Sequence, residues 1–437
     1  MAPDPHREAS SVPNPPELSP ARVRRWRASG APLIDLLTQA HALGGVSAFR
    51  RGPQASVLVT APDAVRHVFA RHPDRYVKRS HRARVLIGDG VVSATGERWR
   101  VQRRVLQSQF TGRGIRRYEE RILDAALRTA RRWERAASAA EPRDIAADMR
   151  FFALDTIWRT LTGHVLDQET CRELLITQEV FASLPASPAD AIDARPELSA
   201  GIARIDAVAE RAVDAARTGP AGPAGPGLLH ALLDAAAEHP EYTPKLIRDE
   251  LVTLLVAGHE TTATTLTWLF VLLARHPEQH ARALAAGPPG SPALTAAIRA
   301  LISETLRLYP AAAWLLPRHA VEDDILNGYR VEAGSDVLGC PYLTHRDPAL
   351  WPAPESFRPQ RFLTPEGPAS RPGAYYPFGL GPRACLGTQF TLREVTVLLE
   401  LLLPAWTPQF TEIPAGAVFG VSVSPDGPMT AVIRPRR

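Results

Sequence analysis

The chain has 437 residues, of which 45% are hydrophobic and 22% charged, a composition typical of a globular protein with a sizeable core. Its formal net charge is +5, but the arginines recur along predicted helices without an aromatic-interleaved stripe, so a nucleic-acid-binding protein is not expected. The three cysteines, at positions 171, 340 and 385, are too few and too scattered for a disulfide framework or a zinc site, and they favour a reducing compartment.

The first 20 residues are polar and rich in proline, and we expect a flexible arm there, with neither a signal peptide nor a membrane-spanning run. Residues 56–69 predict a short strand, a proline turn and a helix. The glycine- and proline-rich run 219–227 predicts a surface loop between helices. Apolar residues at three-to-four spacing predict helices over 95–107, 115–138, 144–162, 168–182, 199–217 and 244–275.

After residue 310 the pattern changes to short β-prone runs, two of them separated by an Asn-Gly turn at 327–328. A last helix is expected over 386–403. The chain is thus predicted to be mainly α with a small β region. No stretch is long and polar enough to act as a linker, so residues 21–437 are expected to form a single domain.

One cysteine stands out near the C-terminus, in the stretch "YYPFGLGPRACLGTQF" at residues 375–390. Cys385 precedes the last predicted helix, and a helix N-terminus favours the negative charge of a thiolate. Gly379, Gly381 and Gly387 allow backbone conformations and close approaches that a Cβ would obstruct, so a flat partner could lie against this loop. An isolated cysteine is otherwise interpreted as a small buried hydrophobic residue.

The loop fits the pattern Phe-x-x-Gly-x-Arg-x-Cys-x-Gly and resembles the haem-thiolate loop of the cytochrome P-450 superfamily. The residues that carry the match are Phe378, Gly381, Arg383, Cys385 and Gly387. The resemblance implies that the Cys385 thiolate is the axial ligand of the iron of haem b, where its electron donation favours O–O cleavage. It also implies that Phe378, Gly379 and Gly387 border the haem.

A second motif, "LLVAGHETTATTLTWLF" at 254–270, resembles the oxygen-binding helix of the same family. Ala257 and Gly258 lie three to four residues before Thr261 and share a helix face with it, at a place where the helix is expected to loosen. The resemblance places Ala257 and Gly258 beside the haem. It implies that Thr261 hydrogen-bonds dioxygen and a water, and that Glu260 relays protons. Outside this family, the same residues would be interpreted as a packing glycine and a solvent-facing glutamate.

A third motif, "ISETLRLYP", resembles the family's buried charge network, which comprises Glu304, Arg307 and Arg361 and is structural. By itself, the three-residue spacing of Glu304 and Arg307 indicates only an exposed ion pair. The resemblance also assigns partners to the haem propionates, because arginine bonds carboxylates through two parallel hydrogen bonds. These partners are Trp99, Arg103, Arg318 and Arg383. The alternative for Arg103 is a solvated helix face.

The resemblance covers nearly the whole chain and implies the family fold, a triangular, mainly α prism with a small β region. In that fold the haem lies between the oxygen-binding helix and the helix after the cysteine loop. The implied activity is that of a monooxygenase that uses dioxygen to oxidise a lipophilic small molecule of terpenoid, polyketide or fatty-acyl type, in bacterial secondary metabolism. The residues expected to line the substrate pocket are Val91, Val92, Leu254, Ala312, Trp314 and Phe419.

The sequence contains no fused reductase, so electrons are expected from a separate ferredoxin or flavodoxin and its NAD(P)H reductase. We expect a cytoplasmic monomer without a membrane or nucleic-acid partner. Two other classes stay open, a haem-thiolate peroxygenase or isomerase and a non-catalytic haem sensor. Glu260 and Thr261 argue against the first, because reactions that bypass dioxygen do not need a proton relay. No attached signalling or DNA-binding segment supports the second.

Overall fold

The computed structural model describes residues 12–52, 54–78, 81–176, 180, 196–364, 367 and 370–436. Its α-helices are α1 (Pro20–Ser29), α2 (Leu33–His41), α3 (Pro62–Arg66), α4 (His81–Ile87), α5 (Gly96–Gln107), α6 (Arg113–Arg116), α7 (Glu119–Ala139), α8 (Ile145–Thr162), α9 (Gln168–Leu174), α10 (Pro196–Thr218), α11 (Leu228–Glu238), α12 (Pro244–Arg275), α13 (Pro277–Ala285), α14 (Pro292–Leu308), α15 (Pro341–Thr344) and α16 (Thr388–Ala405). The strands are β1 (Val46–Phe49), β2 (Ser56–Val59), β3 (Tyr76–Lys78), β4 (Pro142–Asp144), β5 (Arg318–Ala320), β6 (Asp324–Leu326), β7 (Tyr329–Val331), β8 (Asp336–Gly339), β9 (Trp406–Phe410), β10 (Gly416–Phe419), β11 (Val423–Asp426) and β12 (Thr430–Pro435). A π-helical turn follows α3 over His67–Arg71, and 3₁₀ turns cover Pro359–Phe362 and Gly381–Arg383.

The chain divides into two compact units. The first comprises residues 1–79 and 306–385, and the second comprises residues 80–305 and 386–437. The first unit contains a five-stranded sheet in the order β1-β2-β8-β5-β3, in which only β2 and β8 run parallel. Val59 and Val337 of this sheet belong to one hydrophobic cluster with Phe69 of the π-helical turn. The expected single haem domain over 21–437 stays a prediction.

Two local predictions for the first unit can be compared with the structure. The Asn-Gly turn is confirmed, because Asn327 and Gly328 adopt φ angles of 50° and 83° between β6 and β7. The described part of the expected flexible arm is held in place instead. Leu18 is only 1% exposed, and its amide donates to the Ala48 carbonyl at 2.9 Å. The difference arises because Leu18 contributes to the core, a contact that the proline-rich composition does not reveal.

The second unit is mainly helical and is organised around α12. This helix is mostly apolar without a strong apolar face and is buried along most of its length, as expected of a central helix. The Thr243 hydroxyl caps it by accepting from the Leu246 amide at 3.2 Å, and Pro244 occupies its first turn. Helix α12 packs against α8, and a ring contact of 5.6 Å joins Phe270 of α12 to Trp133 of α7. Strands β4, β12 and β9 form one sheet and β10 and β11 a hairpin.

The predicted helices over 95–107, 144–162 and 244–275 agree with α5, α8 and α12 to within one residue at each end. The helix predicted over 168–182 is shorter in the structure, since α9 ends at Leu174 and residues 177–179 and 181–182 lie outside the described residues. The mainly α fold with a small β region is confirmed. Within the described ranges, none of the helices combines the length and the apolarity that crossing a bilayer requires.

Candidate active site

The cysteine loop lies in the first unit and is closed by its own backbone. Gly379 donates to the Tyr376 carbonyl at 2.9 Å, and Cys385 donates to the Phe378 carbonyl at 2.8 Å. Gly379 and Gly381 adopt φ angles of 73° and 69°, in the left-handed region that favours glycine. The backbone of the loop is therefore fixed by glycine geometry, and it presents the Cys385 side chain at an exposed position.

Gly381 is needed for a close approach as well as for its φ angle. A Cβ at this position would lie 2.2 Å from the Phe69 carbonyl oxygen, a backbone atom that cannot give way. We expect Gly381→Ala to lower the free energy of unfolding by more than the matched change Gly30→Ala. Gly30 has a similar φ of 66° but open space around it. Gly30→Ala should therefore lower the free energy of unfolding only by the strain of alanine in the left-handed conformation, about 1 to 2 kcal/mol. Denaturant unfolding of both variants tests this, and equal losses would contradict it.

The other two cysteines are poor candidates for a thiolate ligand. Cys340 is fully buried, its thiol contacts the Ala313 carbonyl at 3.1 Å, and burial raises its pKa to about 12. Cys171 is half-buried, and desolvation raises its pKa as well. Among the three cysteines, only Cys385 is exposed. This agrees with the predicted role of Cys385 as the ligand, since an accessible thiol can reach a metal.

A second predicted residue of the first unit, Arg318, is buried without an acidic partner. Its guanidinium lies 4.9 Å over the Phe69 ring and donates to the Leu316 carbonyl at 2.9 Å. Among the described residues, no carboxylate lies within ion-pair distance of it, and burial lowers its pKa to about 10. A buried cation without a counter-ion is costly, so this position suits the carboxylate of a bound group. The backbone carbonyl of the same Phe69 lies beside Gly381. Arg318 and the cysteine loop therefore both pack against Phe69.

The oxygen-helix motif lies in the second unit, on α12. Ala257 is exposed and Gly258 and Thr261 are half-buried, so these residues form an accessible face on a helix that is otherwise largely buried. The Thr261 hydroxyl donates to the Ala257 carbonyl at 2.9 Å. The expected loosening is not observed, because α12 is α-helical from end to end. Gly258 packs against α8, since a Cβ there would lie 2.9 Å from Ile157.

Glu260 directly precedes Thr261 in the sequence, but its side chain is buried, with 8% of the residue's surface exposed. Its Oε1 accepts a hydrogen bond from Ser422 at 2.9 Å and a longer one from Thr264 at 3.4 Å. Its Oε2 has no hydrogen-bond partner among the described residues. Glu260 is therefore a buried carboxylate with one bonded oxygen and one free oxygen, which is suited to the transfer of a proton.

A family model described as cytochrome P-450 matches residues 29–286 and 294–413. The chain belongs to the cytochrome P-450 family. Cyclooctatin synthase of Streptomyces melanosporofaciens is 30% identical to it over 402 residues, or 85% of each chain. The cyclooctat-9-en-7-ol 5-monooxygenase of the same organism is 30% identical over 397 residues, or 85% of this chain and 84% of the relative.

Solved structures agree with this assignment. The haem domain of one cytochrome P-450 matches with a TM-score of 0.83 at 24% identity and covers 98% of both chains. A six-coordinated cytochrome P-450 from Thermus thermophilus matches with a TM-score of 0.72 at 25% identity, over 96% of this chain and 99% of the other. The protein is thus a cytochrome P-450 monooxygenase, which carries haem and uses dioxygen. Arg318 and Cys385 have the chemistry that such a haem requires.

We expect this cytochrome P-450 to lose haem when Arg318 is replaced by alanine, because in its predicted role Arg318 is the buried partner of a haem propionate. A charge-assisted hydrogen bond is worth about 1.5 to 3 kcal/mol, so haem binding should weaken about tenfold or more. The ratio of haem to protein after purification measures this. Arg71→Ala, which removes an exposed arginine of the same unit, is the control and should retain haem. Full haem content in Arg318→Ala would remove Arg318 from the site.

The other predicted propionate partners are less buried. Trp99 and Arg103 lie on α5 and are half-buried, and Arg103 Nε donates to Gln107 Oε1 at 3.3 Å. Arg383, in the 3₁₀ turn of the cysteine loop, is also half-buried. The roles of all three residues at the haem stay predictions. The same holds for Phe378 and Gly387, which flank Cys385 in the sequence.

Two residues of the predicted charge network, Glu304 and Arg307, are buried. Arg307 is fully buried and donates to the carbonyls of His345 at 2.9 Å, Pro354 at 2.6 Å and Ser356 at 3.1 Å. It thereby fixes the segment that leads to Arg361, whose side chain donates to the Ala353 carbonyl at 2.8 Å. Glu304 is fully buried on the same helix, α14. The exposed ion pair is therefore excluded for Glu304 and Arg307.

Val91, a predicted pocket residue, is held by the buried carboxyl group of Glu250. The Val91 amide donates to Glu250 Oε2 at 2.9 Å, and Asp249 on the same helix accepts from the Asp89 amide at 2.9 Å. A Cβ at Gly88 would lie 2.2 Å from the Asp249 carboxylate, so the loop needs glycine there. Burial raises the pKa of Glu250 to about 8. The N-terminal half of α12 thus positions residues 88–91.

The raised pKa of Glu250 has a consequence for stability. Its ordinary value is 4.5, so the folded state binds the proton more tightly than the unfolded state between about pH 4.5 and 8. The stability that this proton contributes is complete below pH 4.5 and is lost as the pH rises through 8. Glu250→Gln keeps a neutral side chain at every pH. We expect it to remove this decrease in the free energy of unfolding between pH 5 and 8, which is roughly 2 to 4 kcal/mol. Unfolding free energies of both proteins at pH 5 and 8 measure it, and parallel pH dependences would contradict it.

The remaining predicted pocket residues are apolar but differ in burial. Leu254 is buried on α12, and Val92 is half-buried beside Val91. Ala312 and Trp314 are half-buried in a segment of the first unit. Phe419 ends β10 and is half-buried. The family resemblance also predicts that a helix pair near 178–205 lines the pocket, and this segment lies partly outside the described residues.

Sequence reasoning missed Glu250 and the contact of Ser422 with Glu260. Two adjacent acidic residues, Asp249 and Glu250, near the start of a long, mostly apolar helix were a usable signal, since a buried acidic group needs a partner. Ser422 gave no signal, because its contact with Glu260 joins residues 162 positions apart.

Proposed function

We propose that this cytochrome P-450 inserts one oxygen atom into a lipophilic, terpenoid-type small molecule in bacterial secondary metabolism. The observation that carries the proposal is the 30% identity to a relative named for the 5-monooxygenation of cyclooctat-9-en-7-ol. The predicted lining agrees with such a substrate, because apolar side chains recognise a hydrocarbon skeleton by burial. These side chains are Val91, Val92, Leu254, Ala312, Trp314 and Phe419.

Bound haem supplies the activation of dioxygen with two electrons and two protons and the transfer of one oxygen atom. In the proposal, Cys385 provides the thiolate ligand and Arg318 pairs with a propionate. Thr261 donates to Ala257, so its lone pairs are free to accept from a water and hold it on the accessible face of α12. Glu260 supplies protons from its buried carboxyl group. Residues 21–437 act as one haem domain.

The proposal includes separate electron donors, a ferredoxin or flavodoxin with its NAD(P)H reductase, and a monomeric cytoplasmic enzyme. The net charge of +5 supports an acidic donor protein, because complementary charge speeds association. A salt titration of the reduction rate tests this point.

The substrate class is tested by titrating the purified haem protein with cyclic terpenoid alcohols, polyketide lactones and fatty acids. We expect the terpenoid alcohols to shift the Soret band and to yield an oxygenated product with a surrogate ferredoxin and reductase. A shift with fatty acids alone would contradict the substrate class. Product formed with peroxide but never with the reductase system would instead indicate a peroxygenase.

A further inference from the structure

The hairpin of β10 and β11 contacts α12 along one helix face. Glu260, Thr264 and Trp268 are spaced by four residues and therefore lie in line on that face. The Trp268 indole donates to the Val423 carbonyl at 2.5 Å, and both residues are buried. This bond fixes the start of β11 and places the preceding residue, Ser422, beside Glu260.

Ser422 lies at the centre of a small group of hydroxyls. Its Oγ donates to Glu260 Oε1 at 2.9 Å, and Thr264 Oγ1 lies 3.3 Å from it. On its other side, Ser424 Oγ lies at 3.2 Å. Ser422 is 5% exposed, whereas Ser424 is half-buried. The contacts thus lead from a buried carboxylate through a buried hydroxyl to the hydroxyl of a half-buried residue.

We propose that Ser422 and Ser424 conduct protons from solvent to Glu260, an inference that rests on the proposed role of Glu260. Each hydroxyl passes on its own proton and takes one from the next group, so neither changes its charge. Ser424 takes a proton from water and passes one to Ser422, which passes one to Glu260 Oε1. Rotation of the carboxyl group about its Cγ–Cδ bond then turns the proton toward the side of the free Oε2.

Burial is the reason that Glu260 needs such a route. Glu260 is only 8% exposed and its Oε2 is buried, so bulk solvent has little direct access to the carboxyl group. A hydroxyl is suited to this relay because it donates one hydrogen bond and accepts two. Ser422 is thus a positioning residue that acts through Glu260.

The test compares Ser422→Ala with Ser422→Thr, which keeps a hydroxyl, and with Thr262→Val. Thr262 is the matched control, because its buried hydroxyl on α12 donates to a different carboxylate, Glu394, at 2.8 Å. With a surrogate reductase, Ser422→Ala should lower product formed per reductant about tenfold and raise the solvent deuterium isotope effect. The substrate-induced Soret shift and peroxide-driven turnover should stay unchanged. Ser422→Thr should restore the wild-type ratio, and Thr262→Val should retain it.

A second readout does not depend on turnover. The infrared band of the Glu260 carboxyl group, identified by its loss in Glu260→Gln, should shift in Ser422→Ala and return in Ser422→Thr. If Glu260→Gln impairs turnover but Ser422→Ala does not, the route is wrong while the proposed function stands. If the wild-type enzyme forms no product with any reductase, the proposed function fails, and an unshifted infrared band would overturn the route independently.

Discussion

Cys385→Ala should abolish the red-shifted absorption band of the ferrous carbon monoxide complex and all oxygenation. The physical reason is that alanine cannot ligate iron, and the other two thiols are less accessible. Cys340 is fully buried, and its pKa of about 12 keeps it a thiol at neutral pH. The measurement is the difference spectrum of reduced protein with and without carbon monoxide.

The matched control is Cys340→Ala, which removes a buried thiol of the same unit. It should retain the red-shifted band and lose only packing, with a small drop in the free energy of unfolding. Persistence of the band in Cys385→Ala would overturn the assignment of the ligand. Its loss in Cys340→Ala, with the protein still folded and haem-loaded, would do the same.

Glu260→Gln should slow oxygenation about a hundredfold, because general acid–base steps contribute at least that much and an amide cannot supply the proton. The amide keeps the size of the side chain and a carbonyl that can still accept from Ser422. Haem content and the substrate-induced Soret shift should therefore be unchanged. Turnover with a surrogate reductase measures the effect.

Thr261→Ala tests the hydroxyl on the accessible face of α12 by the ratio of product to reductant consumed. It should still bind haem and substrate but release more hydrogen peroxide, so that less product forms per reductant consumed. Peroxide-driven turnover should suffer less in both variants, because peroxide already carries the protons and electrons. An unchanged ratio of product to reductant in Thr261→Ala would leave Thr261 a packing residue and make Glu260 alone responsible for proton supply.

The local features of this protein could be predicted from its sequence. The glycines around Cys385 predicted a loop of unusual backbone conformation, and Gly379 and Gly381 have positive φ angles in the structure. The bounds of α12 followed from apolar spacing, and in the structure the helix begins after the Thr243 cap, a local interaction between neighbouring residues. In each case the determining interactions lie within a few positions of one another.

The family resemblance supplied roles that local patterns leave open. Glu260 alone fitted a solvent-facing glutamate, and the structure buries it. The prediction that α12 loosens near Gly258 was wrong for the described helix, because that glycine is used to pack against Ile157. A glycine in a helix indicates either a weak point or a close contact, and only its neighbours decide which.

By itself, the sequence determined the helices, the Asn-Gly turn and the cysteine loop, because these depend on backbone preferences and spacing over a few residues. The tertiary structure alone decided the contacts between distant segments. Ser422 meets Glu260 across 162 positions and Glu250 meets Val91 across 159. Phe69 joins Arg318 to the loop of Gly381. Such contacts arise from packing and from the need of buried charges for partners, which no local pattern of residues encodes.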